Sequence, residues 1–502
     1  MVVHYFESNS EIQTGFDGIT IQGEKMNAFD KRVKIVATIG PASRSEKGIR
    51  ELIENGVNVF RLNFSHGDHD AHRGTIRIVR KVAAALHCEV ALLADLQGPK
   101  IRTRSTDGNR TVVVPAGSKV LITAKKVVCD ESIIAVDYGK LATEVGIGQQ
   151  IMINDGAIRL RVIGKEKNGD LHASVLAGGE YSSHKGVNFP DVELSIPSLT
   201  RKDRRDLEFI LGEDIQYIAL SFVRKAQDVL LLRRIVEKQR KDVRIIAKIE
   251  KPEAARAIDS ILQQADGIMV ARGDLGVEAT PFVVPIIQKE LILKANAAAK
   301  LVIVATQMLE SMIEHPLPTR AESTDVANAI IDGTDAIMLS GETAIGRFPG
   351  LTVETMVHIV QETEKSRFVS HDMVDLIYTS RTASNALCEA AVWAGRDLGG
   401  IPLCVFTISG TTALYLSKLQ YESPIIAFSP EPQVVKMLAL AWNITALSLP
   451  FITDIEKLHT NGEAQLLAKK WVKRGDYIGI ISGTNSVRGA TNTFRIRKVG
   501  GE

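Results

Sequence analysis

Between residues 34 and 343 one pattern recurs eight times: a short apolar, largely β-branched run, a turn, then a helical stretch. The runs are KIVATIG (34–40), VNVFRLNFS (57–65), VALLADL (90–96), IQYIALSFV (215–223), VRIIAKIE (243–250), DGIMVARGD (266–274), LVIVATQ (301–307) and DAIMLSGET (335–343). Strands that are apolar on both faces and separated by helices belong to a parallel sheet covered on its outside. Eight such units predict a closed (β/α)8 barrel, with an open doubly wound sheet as the structural alternative.

The pattern breaks once. After VALLADL roughly 120 residues pass before the next such run, far longer than an ordinary connection. Within that gap TVVVPAGSKVLITAK, IIAVDYG and IMINDGAIRLRVIGKEKNGDLHASVLAGG alternate apolar with polar and are punctuated by Gly, Asn-Asp and Asn-Gly turns. They predict a small all-β domain inserted at the barrel mouth. Beyond residue 369 a second α/β unit is expected, with strands at PLCVFT, PIIAFS, ITALSLP and DYIGIIS and an alternating edge strand at TFRIRKV. The expected division is an N-terminal extension (1–30), a barrel (31–103 and 198–368), an inserted β-barrel domain (104–197) and a C-terminal α/β domain (369–502).

A chain of 502 residues accommodates this layout, since its length suggests roughly three or four domains. Its 61 basic and 59 acidic residues nearly cancel, so nothing draws it globally to nucleic acid or to an anionic membrane, and any anion site must be local. The four cysteines are scattered without metal or redox spacing, which predicts reduced thiols and a cytoplasmic protein. No secretory signal and no membrane-spanning run are evident.

Barrels of this kind carry their chemistry at the carboxyl ends of the strands. Here run two ends in Arg61, Asn63 and Ser65, run three in Asp95, run four in Ser221 and run five in Lys248 and Glu250. Runs six to eight end in Arg272 and Asp274, in Thr306, and in Ser340 and Glu342. Solvent exposure explains one polar strand end; it does not explain so many charges directly after deep apolar runs. Glu250 and Asp274 are hard oxygen ligands suited to Mg²⁺. Arg61, Arg272 and Lys248 can hold a phosphate. Gly273 lies where a strand turns toward a helix, so free amides can bind an anion. The set fits phosphoryl transfer, in which a protein mainly positions reactants and spreads charge.

The motifs RLNFSHG (61–67), ADLQGPKIRT (94–103), AKIEKPE (247–253), IMVARGDLGVE (268–278), ATQMLESMI (305–313) and AIMLSGETA (336–344) resemble those of pyruvate kinases. The resemblance runs from about residue 33 to the C-terminus. It implies transfer of the phosphoryl group of phosphoenolpyruvate to ADP, giving pyruvate and ATP. By the same resemblance Lys248 faces the transferring phosphoryl group and Arg61 reaches it. Glu250 and Asp274 hold Mg²⁺ or Mn²⁺, and amides around Gly273 and Asp274 hold the substrate carboxylate. Thr306 lies near the carbon that is protonated, with Ser340 and Glu342 behind it. Asn63, His66, Arg102 and Lys185 lie on the nucleotide side. The inserted domain is then a lid, the C-terminal domain regulatory, and the assembly a homotetramer.

Two departures matter. Around the monovalent-cation position (Asn63, Ser65, Asp95) this chain has Leu96, Gln97 and Lys100 where K⁺-requiring relatives carry threonine, lysine and glutamate. A built-in ammonium at Lys100 replaces the ion's charge, so K⁺ independence is expected, although Thr103 keeps the residue type of the K⁺ class. In VFTISGTTAL (405–414), Thr407, Ser409, Gly410, Thr411 and Thr412 form a turn able to cradle a phosphate. That turn lacks the Lys or Arg of relatives regulated by fructose bisphosphate, so a sugar monophosphate or AMP is expected.

Other signals carry less. His66, His69 and His72 are spaced by three, but His69 and His72 are expected on a wet helix face. The basic runs 200–206 and 469–475 read as solvated helix surfaces without aromatic interleaving. GKEKNGD (164–170) reads as a hairpin tip. Two rival functions remain: a metal-dependent pyruvate-forming aldolase or lyase, and a catalytically silent sugar-phosphate sensor. The motif GPKIR and the β insertion speak against the first; intact Lys248, Glu250, Asp274 and Thr306 speak against the second.

Overall fold

The computed structural model describes residues 29–190, 192–369, 382–483 and 491–501; nearly all of the extension expected over 1–30 lies outside them. All eight runs form parallel strands: Lys34–Thr38, Val59–Asn63, Ala91–Asp95, Tyr217–Leu220, Arg244–Ile249, Gly267–Ala271, Leu301–Ala305 and Ala336–Leu339. They close into a barrel when the first pairs with the eighth, Lys34 opposite Ala336. Alternation sorts their side chains. Val36, Val59, Leu93, Tyr217, Ile246, Met269 and Met338 pack along the barrel axis, while Ile35, Phe60, Leu92, Ile218, Ile245 and Val270 pack outward against the helices. Lys248 and Glu250 share the parity of Ile246, so the strand that fills the barrel with isoleucine at one end delivers a cation and an anion at the other.

The inserted domain has its own apolar core. Its strands form an open six-stranded sheet and a separate two-stranded one, where a β-barrel was expected. The break falls at Gly178. Leu171–Ala177 pairs with Lys119–Thr123, but Gly179–Tyr181 turns away to pair with Val112–Val114. At Gly178 an added Cβ would lie 2.4 Å from the Val114 carbonyl and from the Ala116 amide nitrogen, so only glycine permits the crossing. The hairpin tip expected at 164–170 joins Ile158–Lys165 to Leu171–Ala177.

The C-terminal domain is a five-stranded sheet with Leu403–Phe406 at its centre and Thr491–Lys498 as the antiparallel edge. It is fastened to the barrel floor through residues at the strand beginnings. Lys34 Nζ donates to the Ile444 carbonyl at 2.8 Å. The Tyr217 hydroxyl donates to the Met437 carbonyl at 2.6 Å, and Arg244 Nη2 donates to the Ser409 carbonyl at 3.3 Å. Asp335, just before the eighth strand, pairs with Lys418. Residues 469–475 form turns after the helix Ile455–Ala468, not the helix surface expected. Among the described residues no helix is long and apolar enough to cross a membrane.

Candidate active site

At the carboxyl ends of the strands, charges converge. Lys248 Nζ lies 2.7 Å from Glu250 Oε1 and 3.3 Å from Asp95 Oδ1, and it donates to Ser221 Oγ at 2.8 Å. Arg61 Nε meets the other Asp95 oxygen at 2.7 Å, while its Nη1 donates to Thr38 Oγ1 at 3.0 Å. Glu250 is 1% exposed and accepts the Phe222 amide at 2.8 Å. Asp274 stands in the first turn of the helix Arg272–Glu278 that follows the sixth strand.

The electrostatics follow from burial and sign. Burial opposes charge on Lys248, but Asp95 and Glu250 outweigh it and raise its pKa above the ordinary lysine value, so it stays an ammonium. Burial would raise Asp95, yet Lys248 and Arg61 hold it below the usual carboxylate range. Glu250 moves upward: burial leads, and the like charge of Asp274 adds to it against the attraction of Lys248. Three carboxylates face two cations, leaving one negative charge over at Glu250 and Asp274.

That imbalance fits a divalent cation. Among the described residues no cluster of three or more His, Cys, Asp or Glu side chains could hold a metal. Two carboxylates are what Mg²⁺ commonly takes from a protein beside water and phosphate.

Thr306 follows the seventh strand with φ +71°, an uncommon conformation for a β-branched residue and one found where a site holds strain. Its Oγ1 accepts the Gly273 amide at 2.8 Å and donates to the Ala305 carbonyl at 2.6 Å. The Gly273 amide expected to bind a substrate carboxylate is therefore taken by Thr306 in this conformation. Glu342 accepts the amides of Ser340 at 2.6 Å and Leu309 at 3.3 Å, and burial pushes its pKa up. Among the described residues the buried Ser340 hydroxyl has no hydrogen-bond partner.

Arg272 departs from its expected role. Its guanidinium donates to the Thr306 and Gln307 carbonyls at 2.8 and 3.1 Å and pairs with Asp325 at 2.6 Å. It braces the strained Thr306 turn instead of presenting itself to a phosphate. His69 and His72 lie half-exposed on the helix His69–Ala85, as expected, and each is also held in place. His69 stacks on Phe209 and meets Asp206 at 2.9 Å, while His72 stacks on Phe64 and reaches the His66 carbonyl at 3.0 Å.

Of the residues expected to meet the nucleotide, His66 is exposed, and Asn63 Oδ1 accepts the Ser65 amide at 3.1 Å. Arg102 and Lys185 sit on the two arms that join the inserted domain to the barrel: Arg102 bridges to Gly186, and Thr103 exchanges hydrogen bonds with Lys185 at 2.8 and 3.0 Å. Leu96 is buried, and its carbonyl accepts the Ser221 hydroxyl at 2.7 Å. Lys100 is not brought into the Asp95 group, whose ionic partners are Arg61 and Lys248. Its side chain lies over Gly186, where an added Cβ would come 3.2 Å from Lys100 Cε, and it lines a small cavity at the junction of the inserted domain and the barrel together with Asp274.

The turn 407–412 borders a cleft of about 1000 Å³ between the C-terminal domain and the barrel floor. Thr407 Oγ1 accepts the Gly410 amide at 2.9 Å, Ser409 and Thr411 hydroxyls meet at 3.0 Å, and Thr412 meets Thr491 at 2.9 Å. Gly410 has φ +78° and lies against Met437. The turn carries no cation of its own, but Arg244 and Lys300 enter the same cleft from the barrel. Sequence spacing could not reveal them because they lie more than a hundred residues away. Ser221, noted in the sequence only as a polar strand end, contacts Lys248, and Thr38, not singled out there, contacts Arg61; each is the hydroxyl residue at a strand end.

The chain matches the family model "Pyruvate kinase, barrel domain" over residues 30–353 and "Pyruvate kinase, alpha/beta domain" over 385–497. It is 41% identical to a pyruvate kinase of Corynebacterium glutamicum over 474 residues, covering 94% of this chain and 98% of that one. It is likewise 41% identical to pyruvate kinase 2 of Synechocystis sp. over 475 residues, covering 93% and 79%. A crystal structure of a pyruvate kinase from Cryptosporidium parvum superposes with TM-score 0.86 at 33% identity, over 94% of this chain and 96% of the other. The chain therefore belongs to the pyruvate kinase family, enzymes that pass the phosphoryl group of phosphoenolpyruvate to ADP.

Proposed function

We propose that Lys248 and Arg61 neutralise charge on the phosphoryl group while it passes from phosphoenolpyruvate to ADP, and that Glu250 and Asp274 hold the divalent metal, Mg²⁺ or Mn²⁺. The observation that carries this reading is the uncompensated negative charge at Glu250 and Asp274 beside a lysine kept charged by Asp95 and Glu250. When bound there, the metal supplies Lewis-acid stabilisation of developing oxygen charge. Lys248 then serves the leaving enolate as an ammonium, which needs no strong base. Thr306 lies beside the carbon to be protonated. The unpartnered Ser340 hydroxyl and the upward-shifted Glu342 carboxyl stand behind it as a proton route. Asn63, His66, Arg102 and Lys185 receive the nucleotide, two of them from the hinge of a lid that encloses the reactants.

The enzyme works without K⁺, with Lys100 supplying the charge once the lid brings it inward, and it is activated by a sugar monophosphate or AMP at Thr407, Ser409, Gly410, Thr411 and Thr412. In the same cleft Asp266 pairs with Arg244 at 3.3 Å, and Lys300 is the further cation that supports an anionic effector. A homotetramer is the expected assembly. One coupled lactate dehydrogenase assay with phosphoenolpyruvate, ADP and Mg²⁺ tests both regulatory readings in buffer free of Na⁺ and K⁺. Full turnover without K⁺ is expected, with a rise at subsaturating phosphoenolpyruvate when glucose 6-phosphate or AMP is added. A large K⁺ activation defeats the first reading, and no response to either effector defeats the second.

A further inference from the structure

Behind the metal carboxylates lies a second buried charge cluster that the chemistry above does not use. Glu278 ends the helix whose first turn carries Asp274, and it is 6% exposed. Its Oε1 meets Lys251 Nζ at 3.1 Å and accepts the Asn188 side-chain amide at 2.7 Å. Lys251 directly follows Glu250. Asn188 ends the strand Val187–Asn188, the edge of the lid sheet. One carboxylate thus ties together the segment after the first metal ligand, the helix of the second, and the lid.

The lid touches the same helix again. An added Cβ at Gly156, in the lid turn Asn154–Gly156, would come 3.9 Å from Val277 Cγ1. The same returning arm is held again closer to the barrel: Arg224 Nη2 donates to the Ile196 carbonyl at 2.5 Å, and Phe222, two residues earlier, donates its amide to Glu250. The returning arm is therefore anchored twice, at Asn188 through the helix that carries Asp274 and at Ile196 through the segment whose Phe222 amide holds Glu250.

We propose that Glu278 is a positioning residue: with Lys251 and Asn188 it forms a hinge node through which the register of the metal carboxylates sets the mobility of the lid. Loading Glu250 and Asp274 with a divalent cation fixes the helix Arg272–Glu278, and Glu278 passes that restraint to Asn188. A merely structural cluster would stabilise the protein equally whether or not the metal site was filled. This proposal rests on the assignment of Glu250 and Asp274 as metal ligands, so its test separates the two.

The experiment uses the full-length enzyme with Mn²⁺ alone. Bound metal is counted by electron paramagnetic resonance and hydrogen exchange is followed at residues 186–189. Mn²⁺ is expected to slow exchange there about five-fold or more in the unaltered enzyme, the range of a local opening made harder. Asn188→Ala removes one side-chain hydrogen bond and leaves the strand pairing intact. It should bind Mn²⁺ with a Kd changed less than about three-fold and lose most of the slowing, the signature of sites coupled through local order. Glu278→Gln, which keeps an acceptor for Asn188 but drops the ionic tie to Lys251, should show a smaller slowing than the unaltered enzyme. If Asn188→Ala retains the full metal-dependent slowing while Asp274→Asn abolishes Mn²⁺ binding, the node is refuted and the metal site stands. If Asp274→Asn binds Mn²⁺ normally, the metal assignment falls and the node with it.

Discussion

The two ends of the barrel each contain a buried lysine facing a carboxylate, and they behave in opposite ways. At the mouth, Lys248 faces both Asp95 and Glu250, and its pKa is raised despite burial. At the floor, Lys418 is 2% exposed and faces Asp335 alone with Asn296 at 2.8 Å; burial wins and its pKa is lowered. A one-to-one pair closed off by hydrogen bonds has no charge left to offer a ligand. A cluster with surplus carboxylate keeps its lysine charged and still attracts a cation. The same residue types are thus a structural fastening at one end of the strands and the proposed reactive machinery at the other, and the count of neighbouring charges distinguishes them.

Replacing each lysine by methionine tests the contrast. Lys248→Met should lower kcat roughly 10³-fold, the scale of losing one preorganised charge at a transition state, in the lactate dehydrogenase-coupled assay. Retention of a tenth of the activity would remove Lys248 from the reaction. Lys418→Met should do the reverse. It leaves Asp335 buried without its cation, which costs about 3–5 kcal/mol in urea unfolding, while kcat per folded molecule stays within about two-fold. A Lys418→Met protein of normal stability and crippled turnover would erase the distinction between the ends.

How far the sequence could foresee this depends on the range of each contact. The eight strands were legible because alternation and β-branching are local, and the inserted domain because its turn residues interrupt the pattern. Lys248 and Glu250 were legible as a pair because i and i+2 share a face whatever surrounds them. Arg272 was not: its position at a strand end looks like that of Lys248, and only the fold shows the Thr306 and Gln307 carbonyls closing over it. Lys100 stands out in the sequence as a cation, but its resting place over Gly186, away from Asp95, depends on contacts with a segment 86 residues away. Glu278 looked like the end of a motif, since its partners Asn188 and Lys251 come from segments 90 and 27 residues away.

The smallest expected effect sharpens the comparison through pH. Lys34 begins the first strand at the floor, and burial pushes its pKa down to about 8 from 10.5, with Glu364 pulling the other way. Between those values the unfolded chain holds the proton and the folded one does not, so stability rises with pH across that window and is flat below it. Lys31 beside it, lowered to about 7, acts in the same direction. Lys248 has the opposite sign: its raised pKa stabilises the fold below 10.5, and that contribution is lost only as pH climbs through the higher folded value. From pH 8 to 10 the floor therefore gains stability while the mouth lysine stays protonated. The thiols Cys88, Cys388 and Cys404, raised above 9.0 by burial, act in the opposite sense, so the test is a difference: in urea unfolding Lys34→Met should show a less positive stability slope over this window than the unaltered enzyme. A Lys34→Met protein with an unchanged slope would mean that the Lys34 ammonium is solvated at the floor, and the two ends would then differ in geometry but not in proton linkage.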